Sequence, residues 1–133
     1  MSDLDAIVEI DPQAARGDAE RTEHLTRAVE LDDCLLATDG PAVGGFVVVR
    51  RRHFYDRDFI DLLLVAAKYR RAGWGSELMR AAVATSTTTD VFTSTNESNL
   101  PMQALLKSEG WAFSGKLVGL DDGDPELVYF LRG

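Results

Sequence analysis

Leu63-Leu64-Val65-Ala66-Ala67-Lys68-Tyr69-Arg70-Arg71-Ala72-Gly73-Trp74-Gly75-Ser76 is the stretch that decides the fold. An apolar run gives way to a short basic loop with two glycines, and Glu77-Leu78-Met79-Arg80-Ala81-Ala82-Val83-Ala84 then reads as a helix. Strand, glycine loop and helix N-terminus together make an anion site, because the first-turn N–H groups have no intrahelical partner. Gly73 and Gly75 let backbone come close to backbone or ligand with no Cβ in the way. Arg70 and Arg71 add positive charge on the approach, so a phosphate-bearing ligand is expected.

Exclusion narrows that ligand. A nucleotide P-loop needs G-x-x-x-x-G-K-[ST], and no glycine here has that downstream Gly-Lys pair. The dinucleotide fingerprint needs a third glycine three residues after Gly75, where Leu78 stands. What remains is Arg70-x-x-Gly73-x-Gly75 between a hydrophobic strand and a helix.

At 133 residues the chain suits one domain, 1–133, with room for a core but not for two. Its 45% hydrophobic and 27% charged content is that of an ordinary globule. Fourteen basic against 22 acidic residues leave a net charge of -8, which makes nucleic acid and anionic membrane poor partners and an amine an easier one. The single cysteine, Cys34, excludes an internal disulfide and fits a reducing compartment. The start Met1-Ser2-Asp3-Leu4-Asp5 is acidic, unlike a signal peptide, and no apolar run approaches a membrane span. A cytoplasmic protein is the expectation.

Ala6–Ile10 reads as a short first strand, and Asp11-Pro12 as a helix start. Gly17 should break that helix, with a second from about Asp18 to Glu30, Leu25 and Val29 on its inner face and Arg21, Glu23 and Arg27 outward. Cys34–Ala37 and Val43–Val49 flank Thr38-Asp39-Gly40-Pro41 and predict an antiparallel hairpin. Arg50–Arg57 reads as a polar connection and Asp58–Ala66 as the next strand. Asp90–Thr95 is a strand, and Asn99 then caps a helix over Leu100–Glu109 that Gly110 ends. Strands starting at Trp111 and over Leu127–Leu131 follow, joined by the acidic turn Asp121–Glu126.

The order is strand, two helices, hairpin, strand, helix, strand, helix, two strands, a mixed α/β arrangement. With the loop motif, it resembles the GNAT family, the Gcn5-related N-acetyltransferases, whose cofactor loop reads [QR]-x-x-G-x-[GA]. A second family pattern, N-x-x-A-x-x-x-Y-x-x-x-G-F, has the frame of Asn99-Leu100-Pro101-Met102-Gln103-Ala104-Leu105-Leu106-Lys107-Ser108-Glu109-Gly110-Trp111. The resemblance runs from about Ala6 to Leu131. It implies an α/β (α+β) fold with a mixed, mostly antiparallel twisted sheet of about six or seven strands and about four helices.

The resemblance implies direct acyl transfer from acetyl-CoA to an amine, with no covalent enzyme intermediate and no metal. Arg70, Arg71, Ala72, Gly73, Trp74, Gly75 and Ser76 would cradle the CoA pyrophosphate, the Ser76 hydroxyl adding to the N–H groups. The pantetheine arm would run along the strand end from Leu63 to Val65, and the Val65 N–H would be the oxyanion donor. Asn99, with Asn96, would reach the cofactor, though Asn99 is equally a plain helix cap. Trp74 should pack under the loop.

Proton traffic is where the chain departs from the family, because the position of the usual acidic tyrosine holds Leu106. Ser108, Tyr129 or water are the alternatives for protonating the CoA thiolate. Asp61 is the candidate base: it is spaced evenly with Leu63 and Val65, which puts a carboxylate among apolar residues, although an outward strand residue fits the same spacing. The acidic turn could draw an ammonium group, and Arg50, Arg51 and Arg52 an acceptor carboxylate; both could equally face solvent. His53 reads as structural or exposed, and Cys34 as core. The leading expectation is an N-acetyltransferase acting on a small primary amine, such as a free amino acid. A protein N-terminal or lysine acetyltransferase and a non-catalytic acyl-CoA sensor are the alternatives, and a homodimer is compatible with the family.

Overall fold

The computed structural model describes residues 3–132; Met1 and Ser2 of the acidic start, and Gly133, lie outside the described residues. In chain order the elements are α1 (Asp3–Ile10), α2 (Pro12–Ala15), α3 (Ala19–Glu30), β1 (Cys34–Asp39), β2 (Ala42–Phe54), β3 (Arg57–Val65), a 3-10 turn (Ala67–Tyr69), α4 (Trp74–Ala84), β4 (Asp90–Asn96), α5 (Leu100–Ser108), β5 (Ala112–Leu117) and β6 (Glu126–Arg132). The six strands are hydrogen-bonded in the order β1-β2-β3-β4-β6-β5. β3 runs parallel to β4, while β1–β2, β4–β6 and β5–β6 are antiparallel, so the sheet is mixed as expected. No helix among the described residues is long and apolar enough to cross a membrane.

The chain forms two compact units. One takes in the chain up to Val49 and Leu62–Thr85; the other takes in Arg50–Asp61 and the chain from Ser86 on.

In the first unit, Ala6–Ile10 is not a strand but the last part of α1. Five residues rich in Ile and Val suit either state. The spacing of Leu4, Ile7 and Val8 decides for a helix, because i, i+3 and i+4 form one stripe and Asp3 and Asp5 favour its first turn. Ile7 is fully buried with Leu25, Phe46 and Val48, and Leu4, Val8, Val29, Leu36, Leu62 and Leu64 pack around them. Each such fully buried side chain contributes roughly 1.5–3 kcal/mol.

Asp11 starts α2 as expected, accepting from Gln13 N at 3.0 Å, with Pro12 at the first turn. It is also buried, and Arg21 donates to it at 2.8 Å while reaching Gln13 Oε1 at 2.8 Å. Arg21 therefore does not point outward: a buried carboxylate needs a counter-charge, and Arg21 is the one within reach. The β1–β2 hairpin forms as read, with Asp39 opposite Ala42 across Gly40-Pro41. Cys34 carries a free thiol, which burial and then the Asp3 carboxylate push up to about 11.

In the second unit, β2 continues through Arg50–Phe54, so most of the expected polar connection is strand. The turn is only Tyr55-Asp56, with φ of 50° and 62°, the left-handed pair that joins twisted strands tightly. The arginines masked the strand, and Asp58 explains them. Asp58 is fully buried and accepts from Arg52 N at 2.9 Å, Thr87 N at 2.7 Å, Ser86 Oγ at 3.1 Å and Arg51 Nη1 at 3.3 Å. Burial pushes its carboxyl up, but the hydrogen bonds from Thr87, Arg52 and Ser86 outweigh it and hold the pKa at about 2. Phe54 packs on Phe59 and Phe92, and Phe92 on Phe130, at centroid distances of 5.1, 5.2 and 5.8 Å.

Candidate functional site

β3 ends at Val65, and Ala66 N donates to Gly44 O at 2.7 Å, tying the strand end to β2. The Ala67–Tyr69 turn follows, and Arg70 to Gly73 then form an exposed loop. Two of its residues are left-handed: Arg71 at φ 64° and Gly73 at φ 84°, ψ 4°. Gly73 adopts that conformation without Cβ strain, whereas Arg71 adopts it at a cost. A left-handed residue followed by a right-handed one turns successive N–H groups toward a common point, an anion-binding geometry.

Gly73 is the N-cap of α4 and supplies no side-chain acceptor. The helix ladder starts with Glu77 N donating to Gly73 O at 3.1 Å. Ahead of it, the N–H groups of Trp74, Gly75 and Ser76 are the orphan donors of a helix start. Arg70 Nε donates to Val65 O at 3.1 Å, and its terminal nitrogens make no hydrogen bond among the described residues. Arg71 is exposed. Backbone donors at the positive end of a helix dipole, with two guanidinium groups on the approach, form a donor set that suits a diphosphate.

The loop is closed at its base by aromatic stacking. Tyr69 and Trp74, on either side of Arg70–Gly73, lie with ring centroids 4.4 Å apart and planes 25° from parallel. Tyr69 Oη also donates to Asp39 Oδ2 at 3.2 Å. Trp74 thus packs beneath the loop as expected; its floor, Gly44 of β2, was given no role in the sequence reading. The signal was the Gly44-Gly45 pair inside a strand, where a missing side chain marks a close approach. Leu63 and Val65 are half-buried on β3. A groove of about 560 Å³ is lined by Asp3, Ala6, Glu9 and Ile10 of α1, by Pro41–Val43, and by Ala66, Ala67 and Arg70.

The other candidates belong to the second unit. Asp61 lies 4.0 Å from Arg50 Nη1. Asn99 is the N-cap of α5 and accepts from Met102 N at 3.2 Å. Asn96 donates to Asp121 Oδ2 at 3.0 Å and to Asp124 O at 3.2 Å. Leu106 is fully buried, Ser108 Oγ donates to Leu105 O at 2.8 Å, and Tyr129 meets Phe113 edge to face.

The acidic turn is largely spent on its own surroundings: Asp124 accepts from Ser98 N at 3.0 Å and Ser98 Oγ at 2.6 Å, and Glu126 accepts from Ser94 Oγ at 2.8 Å. The three arginines are likewise engaged, Arg50 near Asp61, Arg51 on Asp58 and Arg52 on Asp56. His53 is exposed. Among the described residues, no three His, Cys, Asp or Glu side chains gather as metal ligands.

The sequence profile of the Acetyltransferase (GNAT) family matches residues 3–111. A GNAT-family acetyltransferase from Bacillus cereus ATCC 10987 is 32% identical, with a TM-score of 0.90 over 98% of this chain and 90% of that one. yncA from Salmonella typhimurium, solved with its cofactor acetyl-CoA, has a TM-score of 0.77 at 16% identity over 98% of this chain and 88% of that one. A ribosomal-protein-alanine N-acetyltransferase from Brucella melitensis has a TM-score of 0.74 at 21% identity over 98% and 94%. A comparison with curated proteins returns no match. A left-handed glycine loop feeding an uncapped helix is the local geometry, and the profile and the Bacillus relative carry the rest: the chain belongs to the acetyltransferase (GNAT) family, whose reaction is acetyl transfer from acetyl-CoA.

Proposed function

We propose that this chain, as one acyltransferase domain over residues 1–133, moves the acetyl group of acetyl-CoA directly to a small primary amine, with a free amino acid among the candidates. The observation that carries the cofactor half is the α4 N-terminus, where Gly73 leaves the first-turn donors open beside Arg70 and Arg71. In this reading Arg70 to Ser76 hold the pyrophosphate, and the β3 end at Leu63 to Val65 carries the pantetheine arm. The Val65 N–H polarises the thioester carbonyl, a donor typically worth ~2.7–4 kcal/mol. The amine nitrogen attacks that carbonyl carbon, the N–C bond forms and the C–S bond breaks. Asp61 takes the proton released by the amine, and the departing thiolate takes one from water, since Leu106 is a core residue without a proton to give.

The acceptor half is supported by the groove beside α1. Its lining includes the small apolar side chains of Ala6, Ala42, Ala66 and Ala67, with Asp3 and Glu9 of α1 and Arg70 of the loop. Two carboxylates against one guanidinium in a lining of small apolar residues suit an ammonium group on a short chain. The free thiol of Cys34 favours a cytoplasmic setting.

A CoA-release assay with acetyl-CoA over a panel of amino acids, diamines and short peptides tests the whole reading. Turnover on small amines above that on peptides is expected, and the reverse order would make the chain a protein acetyltransferase. Binding of acetyl-CoA without turnover on any amine would leave a sensor, the second reading that buried Leu106 favours.

A further inference from the structure

We propose that Gly44, on β2 and outside the cofactor loop, is a positioning residue that sets the shape of that loop. Gly44 is buried. A Cβ at Gly44 would stand 2.6 Å from Tyr69 Cδ2 and 2.7 Å from Trp74 Cη2, with Trp74 Cζ3 nearer still. Real Cβ atoms do not approach other heavy atoms so closely, so the absent side chain is the seat of both rings. The two rings are also the two ends of the loop. Tyr69 precedes Arg70 and Trp74 follows Gly73, and their stack brings the ends together at 4.4 Å.

Neither ring can retreat cheaply. Tyr69 is tethered through its hydroxyl to Asp39. Trp74 is the first residue of α4, so its backbone N–H is one of the open donors and moves with its ring. Gly44 contributes a second hold through its carbonyl, which receives Ala66 N at 2.7 Å. One residue therefore anchors the chain where it leaves β3 and seats it again where it enters α4. Between those holds, Arg71 keeps its left-handed φ of 64°, which persists only where the surroundings over-determine it.

The inference rests on the assignment of Arg70–Ser76 as the CoA loop, and the test separates the two. Calorimetry with CoA and steady-state kinetics with acetyl-CoA are run on wild type, Gly44→Ala, Tyr69→Ala/Trp74→Leu and the triple variant. Gly44→Ala should weaken CoA binding and raise the acetyl-CoA KM by ~10-fold or more, as small misplacements of a binding element do. The loss should fall on CoA affinity and the acetyl-CoA KM more than on kcat at saturating acetyl-CoA. Tyr69→Ala with Trp74→Leu removes both clashing rings, so the triple variant should bind CoA as the Tyr69→Ala/Trp74→Leu protein does.

Wild-type affinity in a folded Gly44→Ala protein overturns the inference and leaves the loop assignment standing. A triple variant still weaker than Tyr69→Ala/Trp74→Leu overturns it too, because the clash would then not lie at the two rings. That second comparison decides the matter even if Gly44→Ala alone fails to fold. A wild type that binds no CoA removes the loop assignment and the inference with it.

Discussion

Two helices in this chain follow a strand and a short loop, and their N-termini are finished in opposite ways. α5 is sealed by its own residues: Asn99 accepts from Met102 N, Gln103 Nε2 donates to Glu97 O at 2.6 Å, and Asp124 holds Ser98 in place. α4 has no side-chain cap, and a left-handed glycine stands where an Asn or Asp would serve. A side-chain cap contributes about 1 kcal/mol. Leaving it out gives up that stability and leaves the N–H groups open, which in the proposed reading serves an outside anion. A binding site of this kind is a structural position from which the chain's own acceptors have been withdrawn. The same contrast holds at Asp58, where backbone N–H groups and hydroxyls converge on an anion that the chain itself supplies.

The contrast can be broken most sharply by finishing α4 as α5 is finished. Gly73→Asp should cost CoA affinity ~100-fold or more, because a carboxylate at the helix start repels the pyrophosphate with several kcal/mol. An unchanged dissociation constant by calorimetry would mean that α4 does not hold the anion.

Removing the internal anion should act on stability instead. Asp58→Ala is expected to cost about 3 kcal/mol by urea denaturation at neutral pH, since buried donors and Arg51 lose their partner. The same carboxylate sets an acid limb. Its folded pKa of about 2 lies below the unfolded value of ~3.9, so its stabilisation is complete above that value and fades as pH falls toward 2. The span is ~2 kcal/mol, and Asp58→Ala should flatten it.

Asn99→Ala should lower stability by about 1 kcal/mol and leave CoA affinity alone. A CoA loss beyond that would give Asn99 both roles and blur the comparison. The smallest effect is expected at Arg71→Gly: relief of its left-handed conformation, set against the greater freedom of an unfolded glycine, should raise stability by about 0.5 kcal/mol in the same titration.

What could be read from sequence follows how local the deciding interaction is. The strand-loop-helix shape ahead of α4 was legible because its parts are contiguous, Arg70 through Ser76. Caps at Asp11 and Asn99 were legible for the same reason. α1 was misread because Ala6–Ile10 is too short and too β-branched to reveal its period without Leu4 and the core it meets. The far half of β2 was hidden because its arginines are justified only by carboxylates later in the chain: Asp56, Asp58 and Asp61. Gly44 was hidden more deeply, since its reason is a ring thirty residues on. The acidic turn read as a solvated turn or a rim for an ammonium group, and the donors on its carboxylates, Ser94, Asn96 and Ser98, lie too far back in the chain to be read with it.

The protonated state of Cys34 has a consequence for a protein that keeps company with a thioester. At a pKa of about 11, on the order of 1 in 10⁴ of these side chains is thiolate at neutral pH, and the thiolate is the species that exchanges acyl groups. Burial and the neighbouring Asp3 charge thus leave the chain's single thiol a weak nucleophile toward a thioester. Slow self-acylation at Cys34 is the expected consequence of the same packing that fills the first strand of the hairpin.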